Sequence, residues 1–334
     1  MIDPVDLTRE LLAIPSPTRH EHAVTEFLAG RLAGLGWQVV RQPDRDGREN
    51  LYAHRGAPMV VFSTHVDTVP PELPYRETEE TIFGRGSCDA KGIAAAMIAA
   101  AEELVASGEA RIGLLFVVDE EDGSEGAAVA ATLSPRGRFL INGEPTDNRL
   151  VTAQKGTLKV KVEVAGTAAH SGYPELGDSA IDRLLDALQR IRAVPLPIDP
   201  LLGPSTLNIG KIEGGEAPNV VAAHARAELL VRIVGPDHAI RAAYTAAAGP
   251  GVTLTFIPGL PPAVAPSLPG WPSTTVAFAS DLAIHTTWGT CYQLGPGSIH
   301  LAHRADEQIS KAELRDGVAL YVKLARELLR TPPA

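Results

Sequence analysis

Cysteine, aromatic residues and long hydrophobic runs are scarce in this 334-residue sequence. With only 2 cysteines, Cys88 and Cys291, the chain has neither a disulfide framework nor a cysteine cage for a metal. The longest apolar stretches, such as residues 93–101, are too short to span a membrane. The first residues lack a basic segment followed by an apolar one, as in a signal peptide. We therefore expect a cytoplasmic protein without a membrane span, and the acidic net charge makes an anionic membrane surface an unexpected partner as well.

Positive charge is also in deficit. The chain has 30 Lys and Arg against 40 Asp and Glu, a formal net charge of -10 at pH 7. Nucleic-acid backbones attract the opposite sign, so nucleic acid is not an expected partner. The hydrophobic fraction of 45% is that of a globular protein, and the length suffices for two domains with buried cores. Composition alone leaves the function open.

Two different patterns divide the chain. In residues 1–156 apolar runs such as 59–63 and 111–118 alternate with helical patterns, which is typical of a largely parallel sheet covered by helices. After residue 156 the segments turn to strict alternation of apolar and charged residues, which is typical of antiparallel strands with one exposed face. Their order there is β-α-β-β-α-β.

We therefore predict an α/β protein in two domains. A discontinuous catalytic domain of residues 1–156 and 260–334 would contain the central, largely parallel sheet. An inserted α+β domain of the ferredoxin-like type would comprise residues 157–259.

Histidines and carboxylates follow the predicted strands of the first domain. Ligands bind at the carboxyl ends of strands in such sheets. Asp67 lies two residues after His65, on the same strand face, so it can accept a hydrogen bond from one imidazole nitrogen while the other binds a metal. Carboxylates crowded at one edge repel one another unless a cation offsets them. The candidate ligands are His65, Asp89, Glu121, Glu144 and His303.

This donor set contains nitrogen and oxygen without sulfur. It suits Zn²⁺, Co²⁺ or Mn²⁺, and five protein groups suit a pair of ions better than one. His300 competes with His303 for the last position, and His303 is preferred because the His-x-x-Asp-Glu spacing belongs to it.

Two other classes of site receive less support. A dinucleotide site in the loop 84–92 is disfavoured because Asp89 stands where the last glycine is needed, and its charge would repel a pyrophosphate. A serine hydrolase is unsupported because the sequence contains no G-x-S-x-G motif. A catalytically inactive binding protein remains an alternative that the complete ligand set argues against.

Taken in order from residues 14–18 to Glu307, these motifs resemble the di-zinc aminoacylase and carboxypeptidase family. That family includes acetylornithine deacetylase, succinyl-diaminopimelate desuccinylase and the glutamate-releasing carboxypeptidases. The sequence is most similar to acetylornithine deacetylase in segments 84–92, 207–215 and 295–299.

The resemblance implies a role for each candidate ligand. His65 and Glu144 would bind one divalent ion, His303 and Glu121 would bind the other, and Asp89 would bridge the two. The ions would be Zn²⁺, with Co²⁺ or Mn²⁺ as alternatives.

Further roles are implied by the same resemblance. Asp67 would orient His65, and Glu120 would be the general base acting on the bridging water. His170 would reach the active site of a partner subunit and support the oxyanion, which implies a homodimer formed through the inserted domain. The substrate-binding residues would be Asn219, Arg232 and Gly297.

The predicted reaction is metal-dependent hydrolysis of the amide bond of an N-acyl-amino acid. Acetyl-ornithine, acetyl-citrulline or acetyl-lysine would yield acetate and the free amino acid, as in arginine biosynthesis. The alternative is a metallo-dipeptidase, a carboxypeptidase or a succinyl-diaminopimelate desuccinylase-like enzyme. The segment between Asp67 and Gly84 is short and lacks the family's common Trp, so the substrate is less determined than the chemistry.

Overall fold

A computed structural model describes residues 2–332, and its chain divides into two compact units. The first unit comprises Met1–Thr152, Val264–Thr274 and Ser280–Ala334, and the second comprises Ala153–Ala263 and Thr275–Ala279. Among the described residues, no helix has the length and apolar character needed to cross a membrane.

The helices and strands follow one another in mixed order. The α-helices are α1 (Pro4–Leu12), α2 (His22–Gly34), α3 (Lys91–Ala106), α4 (Glu125–Ala130), α5 (Ala180–Arg192), α6 (His238–Ala248) and α7 (Lys311–Leu329). Short 3₁₀ helices are Pro174–Leu176, Asp281–Ala283 and His285–Thr287. The strands are β1 (Gln38–Pro43), β2 (Glu49–His54), β3 (Val60–His65), β4 (Arg76–Glu77), β5 (Thr81–Phe83), β6 (Ile112–Val117), β7 (Phe139–Asn142), β8 (Leu150–Gln154), β9 (Gly156–Ala165), β10 (Ile198–Asp199), β11 (Gly203–Pro204), β12 (Thr206–Gly214), β13 (His224–Ile233), β14 (Val252–Pro258), β15 (Ala263–Val264), β16 (Ser273–Val276), β17 (Thr290–Gln293) and β18 (Gln308–Ser310).

The first unit is built on a six-stranded mixed sheet in the order β1-β2-β6-β3-β7-β17. The pairs β6–β3, β3–β7 and β7–β17 are parallel, whereas β1 and β2 add to one edge as antiparallel strands. Strands β3, β6 and β7 are buried along their whole length, as their continuous apolar runs predict.

Both faces of this sheet are covered. On one face Phe62, Leu114 and Ile141 join a large core with α1, α2, α3 and α7, in which the Ala-rich α3 is almost wholly buried. On the other face Tyr52 and Trp288 pack edge to face within a smaller cluster. The sheet is therefore held rigidly between two apolar layers, with its strand ends free to carry polar groups.

The second unit is a four-stranded antiparallel sheet in the order β12-β13-β9-β14, with α5 and α6 packed on one face. Along β9, buried Leu158, Val160, Val162 and Val164 alternate with more exposed residues. Chain order β9-α5-β12-β13-α6-β14 is the predicted β-α-β-β-α-β order.

The predicted fold class is confirmed, with one refinement. The central sheet is mixed rather than uniformly parallel, because the apolar-polar segments at β1 and β2 form an antiparallel hairpin on its edge. The hairpin leaves the parallel strands β6, β3 and β7 together in the centre, where their carboxyl ends lie side by side.

Candidate metal centre and catalytic site

The candidate ligands begin at the carboxyl ends of three adjacent parallel strands. His65 is the last residue of β3, Glu120 and Glu121 follow β6, and Glu144 follows β7. Because β6, β3 and β7 are neighbours with the same direction, these four side chains start from one edge of the sheet. This is the edge at which open α/β sheets bind ligands.

Three of the five candidate ligands lie in one compact group. Ligand atoms of His65, Asp89 and Glu121 all lie within 4.8 Å of one another. Asp89 reaches the group from the loop that precedes α3, and its Oδ1 lies 3.0 Å from Nε2 of His65. Both residues are buried.

His303 approaches the same carboxylates from the late part of the chain. Its Nε2 lies 2.9 Å from Oε1 of Glu121 and 3.4 Å from Oδ2 of Asp89. The backbone of His303 has a φ of 60°. Because its side chain is 49% exposed, the imidazole contacts the buried carboxylates from the solvent side. His300, the competing histidine, is exposed at the surface of the first unit.

Asp67 holds two parts of the site at once. Nδ1 of His65 lies 3.0 Å from the backbone oxygen of Asp67 and 3.3 Å from its Oδ1. The Asp67 carboxylate also accepts hydrogen bonds of 3.1 Å from the backbone N–H groups of Glu120 and Glu121, and one of 2.9 Å from the Thr18 hydroxyl. One buried carboxylate therefore fixes both the imidazole and the turn after β6.

Burial and mutual repulsion disfavour charge on the acidic residues of this edge. The pKa values of Glu120 and Glu144 lie well above the ordinary range because both are desolvated and each has other carboxylates near it. Burial also raises the pKa of Glu121, although its bond to His303 opposes the rise. Glu144 lies outside the 4.8 Å group and interacts electrostatically with Asp89 and Glu121.

The histidines are shifted in the opposite sense. Hydrogen bonds to Asp89 and Glu121 raise the pKa of His303 to about 10. Burial disfavours the charged form of His65, but its contacts with Asp67 and Asp89 raise its pKa well above the ordinary value. Burial likewise opposes ionisation of Asp89, yet the two histidines lower its pKa. The two imidazoles and the Asp89 carboxylate therefore shift one another's pKa in opposite senses.

The donor set fits divalent metal ions. Neutral imidazole nitrogens and carboxylate oxygens are ligands for Zn²⁺, Co²⁺ and Mn²⁺, and a cation offsets the repulsion among buried carboxylates. The carboxylate of Asp89 lies between the two imidazoles, with one oxygen near each. That position suits a carboxylate shared by two ions.

Two further buried acids belong to this region. Asp281 is buried, its Oδ1 has no hydrogen-bond partner within the described chain, and burial raises its pKa to about 7 despite a hydrogen bond with Ser124. Glu307 accepts hydrogen bonds from the loop that contains Asp89. Sequence reasoning missed Asp281 and assigned Glu307 no role, because neither contact has a local signal in the sequence.

The remaining predicted residues lie elsewhere. In the first unit Gly297 has a φ of 86°, and a Cβ there would lie 2.7 Å from Sγ of Cys88. In the second unit His170 and Asn219 are exposed on loops, and Arg232 is half-buried on β13. Nδ1 of His170 accepts a hydrogen bond of 3.0 Å from the backbone N–H of Gly172.

Comparisons with known proteins agree with this architecture. The sequence profile described as "Peptidase family M20/M25/M40" matches residues 61–327. A probable carboxypeptidase of Emericella nidulans is 37% identical over 96% of this chain and 88% of its own length. The crystal structure of a Staphylococcus aureus tripeptidase superposes with a TM-score of 0.81, 21% identity and 98% of each chain covered. A dinuclear metal-binding M20 peptidase of Bacillus subtilis superposes with a TM-score of 0.70, 13% identity and 98% of each chain covered.

The profile match covers most of the chain, and the fungal relative is similar almost from end to end. A relative named a carboxypeptidase favours the peptidase alternative over the deacetylase that the motifs suggested. This chain is a metallohydrolase that belongs to peptidase family M20/M25/M40.

Proposed function

We propose that this chain is a metal-dependent carboxypeptidase or dipeptidase, which hydrolyses the amide bond beside a free carboxylate. The observation that carries the proposal is the group of His65, Asp89 and Glu121 with His303 against it and Glu120 in the same turn. The similarity to a relative named a probable carboxypeptidase supports the peptide as substrate.

In this proposal five side chains would hold two divalent ions, which we expect to be Zn²⁺. His65 and Glu144 would hold one ion and Glu121 and His303 the other, with Asp89 shared between them. The description of the Bacillus subtilis neighbour as a dinuclear metal-binding peptidase supports two ions rather than one. When bound, the ions would supply Lewis acidity toward the amide carbonyl and toward water.

Glu120 is proposed as the general base and acid. The proposal is supported by its place next to the candidate ligand Glu121, in a turn whose backbone N–H groups bind Asp67, and by its electrostatic interactions with His65 and Glu144. Its oxygen would take a proton from the attacking water and return it to the departing amine nitrogen.

The inserted lid and dimerisation domain predicted at residues 157–259 would contribute the remaining contacts, with His170 reaching the active site of a partner subunit. Nδ1 of His170 accepts a hydrogen bond from the backbone N–H of Gly172, which leaves Nε2 as the nitrogen that would donate to an oxyanion. The guanidinium of Arg232 and the amide of Asn219 would bind the substrate carboxylate. Sedimentation velocity at several protein concentrations would test the homodimer.

N-acyl-amino acid hydrolysis is the second candidate, as for acetylornithine deacetylase. It breaks the same kind of amide bond next to the same free carboxylate, and segments 84–92, 207–215 and 295–299 resemble that enzyme. The two candidates differ in the group on the acyl side of the bond, which is an amino acid in one and acetate or succinate in the other.

A substrate panel tests the proposal. Amine release would be measured with dipeptides, tripeptides and N-blocked peptides, and with N-acetyl and N-succinyl derivatives of ornithine, citrulline, lysine and diaminopimelate. The proposal predicts turnover of peptides in the presence of Zn²⁺ and its loss with a chelator. Turnover of acyl-amino acids alone would favour the second candidate, and a Glu120→Gln protein purified in parallel would measure contaminating peptidases.

A further inference from the structure

Glu307 lies beneath the loop that carries Asp89. The residue is only 1% exposed, and Oε1 accepts hydrogen bonds from the backbone N–H groups of Gly86 at 2.9 Å, Cys88 at 3.1 Å and Asp89 at 3.2 Å. Burial and the nearby Asp89 raise the pKa of Glu307, whereas the backbone N–H groups and Arg85 oppose that rise by favouring the carboxylate form. The carboxylate therefore fixes the backbone of the loop, up to and including Asp89 itself.

The second oxygen of Glu307 is also bound. Oε2 lies 2.6 Å from Nη1 of Arg85, a residue that is 4% exposed and whose Nε donates to the backbone oxygen of Pro71. A buried pair of this kind is costly to break, because either partner left alone is an unpaired charge in an apolar environment. Glu307 is thereby held in a single position relative to the loop.

The backbone of Glu307 is bound to the same region. Its carbonyl oxygen accepts a hydrogen bond of 3.1 Å from the N–H of Gly84, and the next three residues pair as strand β18 with β5. His303 lies four residues before Glu307, in the turn that leads to β18. Glu307 therefore joins the segment that carries His303 to the loop that carries Asp89.

We infer that Glu307 is a positioning residue, which holds the Asp89 carboxylate between His65 and His303. This inference rests on the proposed function, because it assumes that these three residues bind metal. One oxygen of Asp89 lies 3.0 Å from Nε2 of His65 and the other 3.4 Å from Nε2 of His303. A loop that shifted by a fraction of an ångström would lose one of these two relationships. Side chains that fix metal ligands commonly change metal affinity by about 10–100-fold when they are replaced.

Glu307→Gln is the test, with Glu327→Gln as its matched control. The glutamine side chain keeps one oxygen as an acceptor, but its NH₂ group must face either Arg85 or the backbone N–H groups of the loop. Either the guanidinium or the loop therefore loses its hydrogen-bond acceptor. Glu327 lies on α7 in the same unit and accepts a hydrogen bond of 2.7 Å from Trp271 Nε1, away from the loop. Both variants therefore make the same chemical change at a hydrogen-bonded acid.

The full-length, metal-stripped proteins would be titrated with Zn²⁺ by calorimetry, and their melting temperatures measured without metal. The wild type is expected to bind two Zn²⁺ per chain, Glu327→Gln to match it within about two-fold, and Glu307→Gln to bind at least one ion about 10-fold or more weakly. In turnover assays Glu307→Gln is expected to lower kcat and leave KM unchanged. Wild-type affinity and stoichiometry in Glu307→Gln would overturn the inference alone, whereas a wild type that binds no Zn²⁺ would overturn the proposed function as well.

A double variant separates positioning from stability. Glu307→Gln leaves the Arg85 guanidinium buried without its partner, which by itself lowers the melting temperature. Combining it with Arg85→Met removes that charge. The double variant is expected to regain melting temperature but not Zn²⁺ affinity, and recovery of both would show that only the charge balance mattered.

Discussion

The carboxylate of Asp67 accepts a hydrogen bond of 3.1 Å from the backbone N–H of Glu120. A second bond, from the N–H of Glu121, is also 3.1 Å long, and the imidazole of His65 lies against the same residue. The candidate general base and two candidate ligands are thus held by one side chain that would itself touch neither substrate nor metal. The orientation of His65 and of the turn at Glu120 and Glu121 is therefore tied to this carboxylate.

Asp67→Asn is expected to lower kcat/KM by about 10–100-fold with little loss of secondary structure. An asparagine has one acceptor oxygen, so its NH₂ group would face one of the two backbone N–H groups and loosen the turn. Steady-state kinetics and circular dichroism would measure the effect. Asp199→Asn is the control, because Asp199 also accepts two backbone N–H bonds, from Leu201 and Leu202, in the second unit. Equal activity losses in the two variants would contradict the account.

Glu120→Gln is expected to lower kcat by about 100-fold or more while KM and metal content stay near the wild-type values. The amide keeps the size of the side chain but cannot take a proton from water. Asp122→Asn is the control in the same turn, since Asp122 is exposed and its ion pair with Arg19 is at the surface. Full activity in Glu120→Gln would remove this residue from the chemistry.

Removing metal is expected to lower the melting temperature of the protein. Adding Zn²⁺ back at a hundred-fold excess over its Kd is expected to raise the melting temperature by about 5–10 °C. The reason is that a cation offsets the repulsion among the buried carboxylates, and only the folded chain gathers them. Scanning fluorimetry with and without Zn²⁺ would measure the shift. Asp89→Ala is expected to abolish most of it, and an undiminished shift in that variant would place the bound metal elsewhere.

Much of this architecture follows from the sequence. The apolar run that forms β6 and the acidic turn behind it are adjacent in the chain, so the end of a buried strand and its polar cluster could be predicted together. The bonds from Asp67 to the turn at Glu120 join residues 53 positions apart, and those of Glu307 to the Asp89 loop join residues more than 200 apart. No local pattern reports such contacts. Substrate choice is harder still, since it depends on the shape around the amide rather than on the ligands.

Acid stability provides a prediction independent of the metal. His285 is fully buried, and burial lowers its pKa from 6.5 to about 4. Above pH 6.5 the imidazole is neutral in both the folded and the unfolded chain. As the pH falls from 6.5 toward 4, only the unfolded chain gains the proton, so the free energy of unfolding decreases.

Between pH 7 and pH 5 this residue is expected to remove about 2 kcal/mol from the free energy of unfolding. The His285→Gln variant has no titrating group at this position. Its free energy of unfolding should therefore fall by about 2 kcal/mol less than that of the wild type over the same pH interval. Urea denaturation at the two pH values would measure the difference. His224→Gln, at an exposed histidine at the start of β13, should behave like the wild type. Equal acid sensitivity in wild type and His285→Gln would show that this imidazole is not buried in its neutral form.

The most direct test of the central claim is the metal dependence of amide hydrolysis. Metal-stripped protein would be assayed on the best peptide of the panel, before and after addition of two equivalents of Zn²⁺, with Asp89→Ala in parallel. The account predicts no turnover without metal, restored turnover with it, and none in the variant under either condition. Undiminished peptide hydrolysis by the metal-free protein would contradict it.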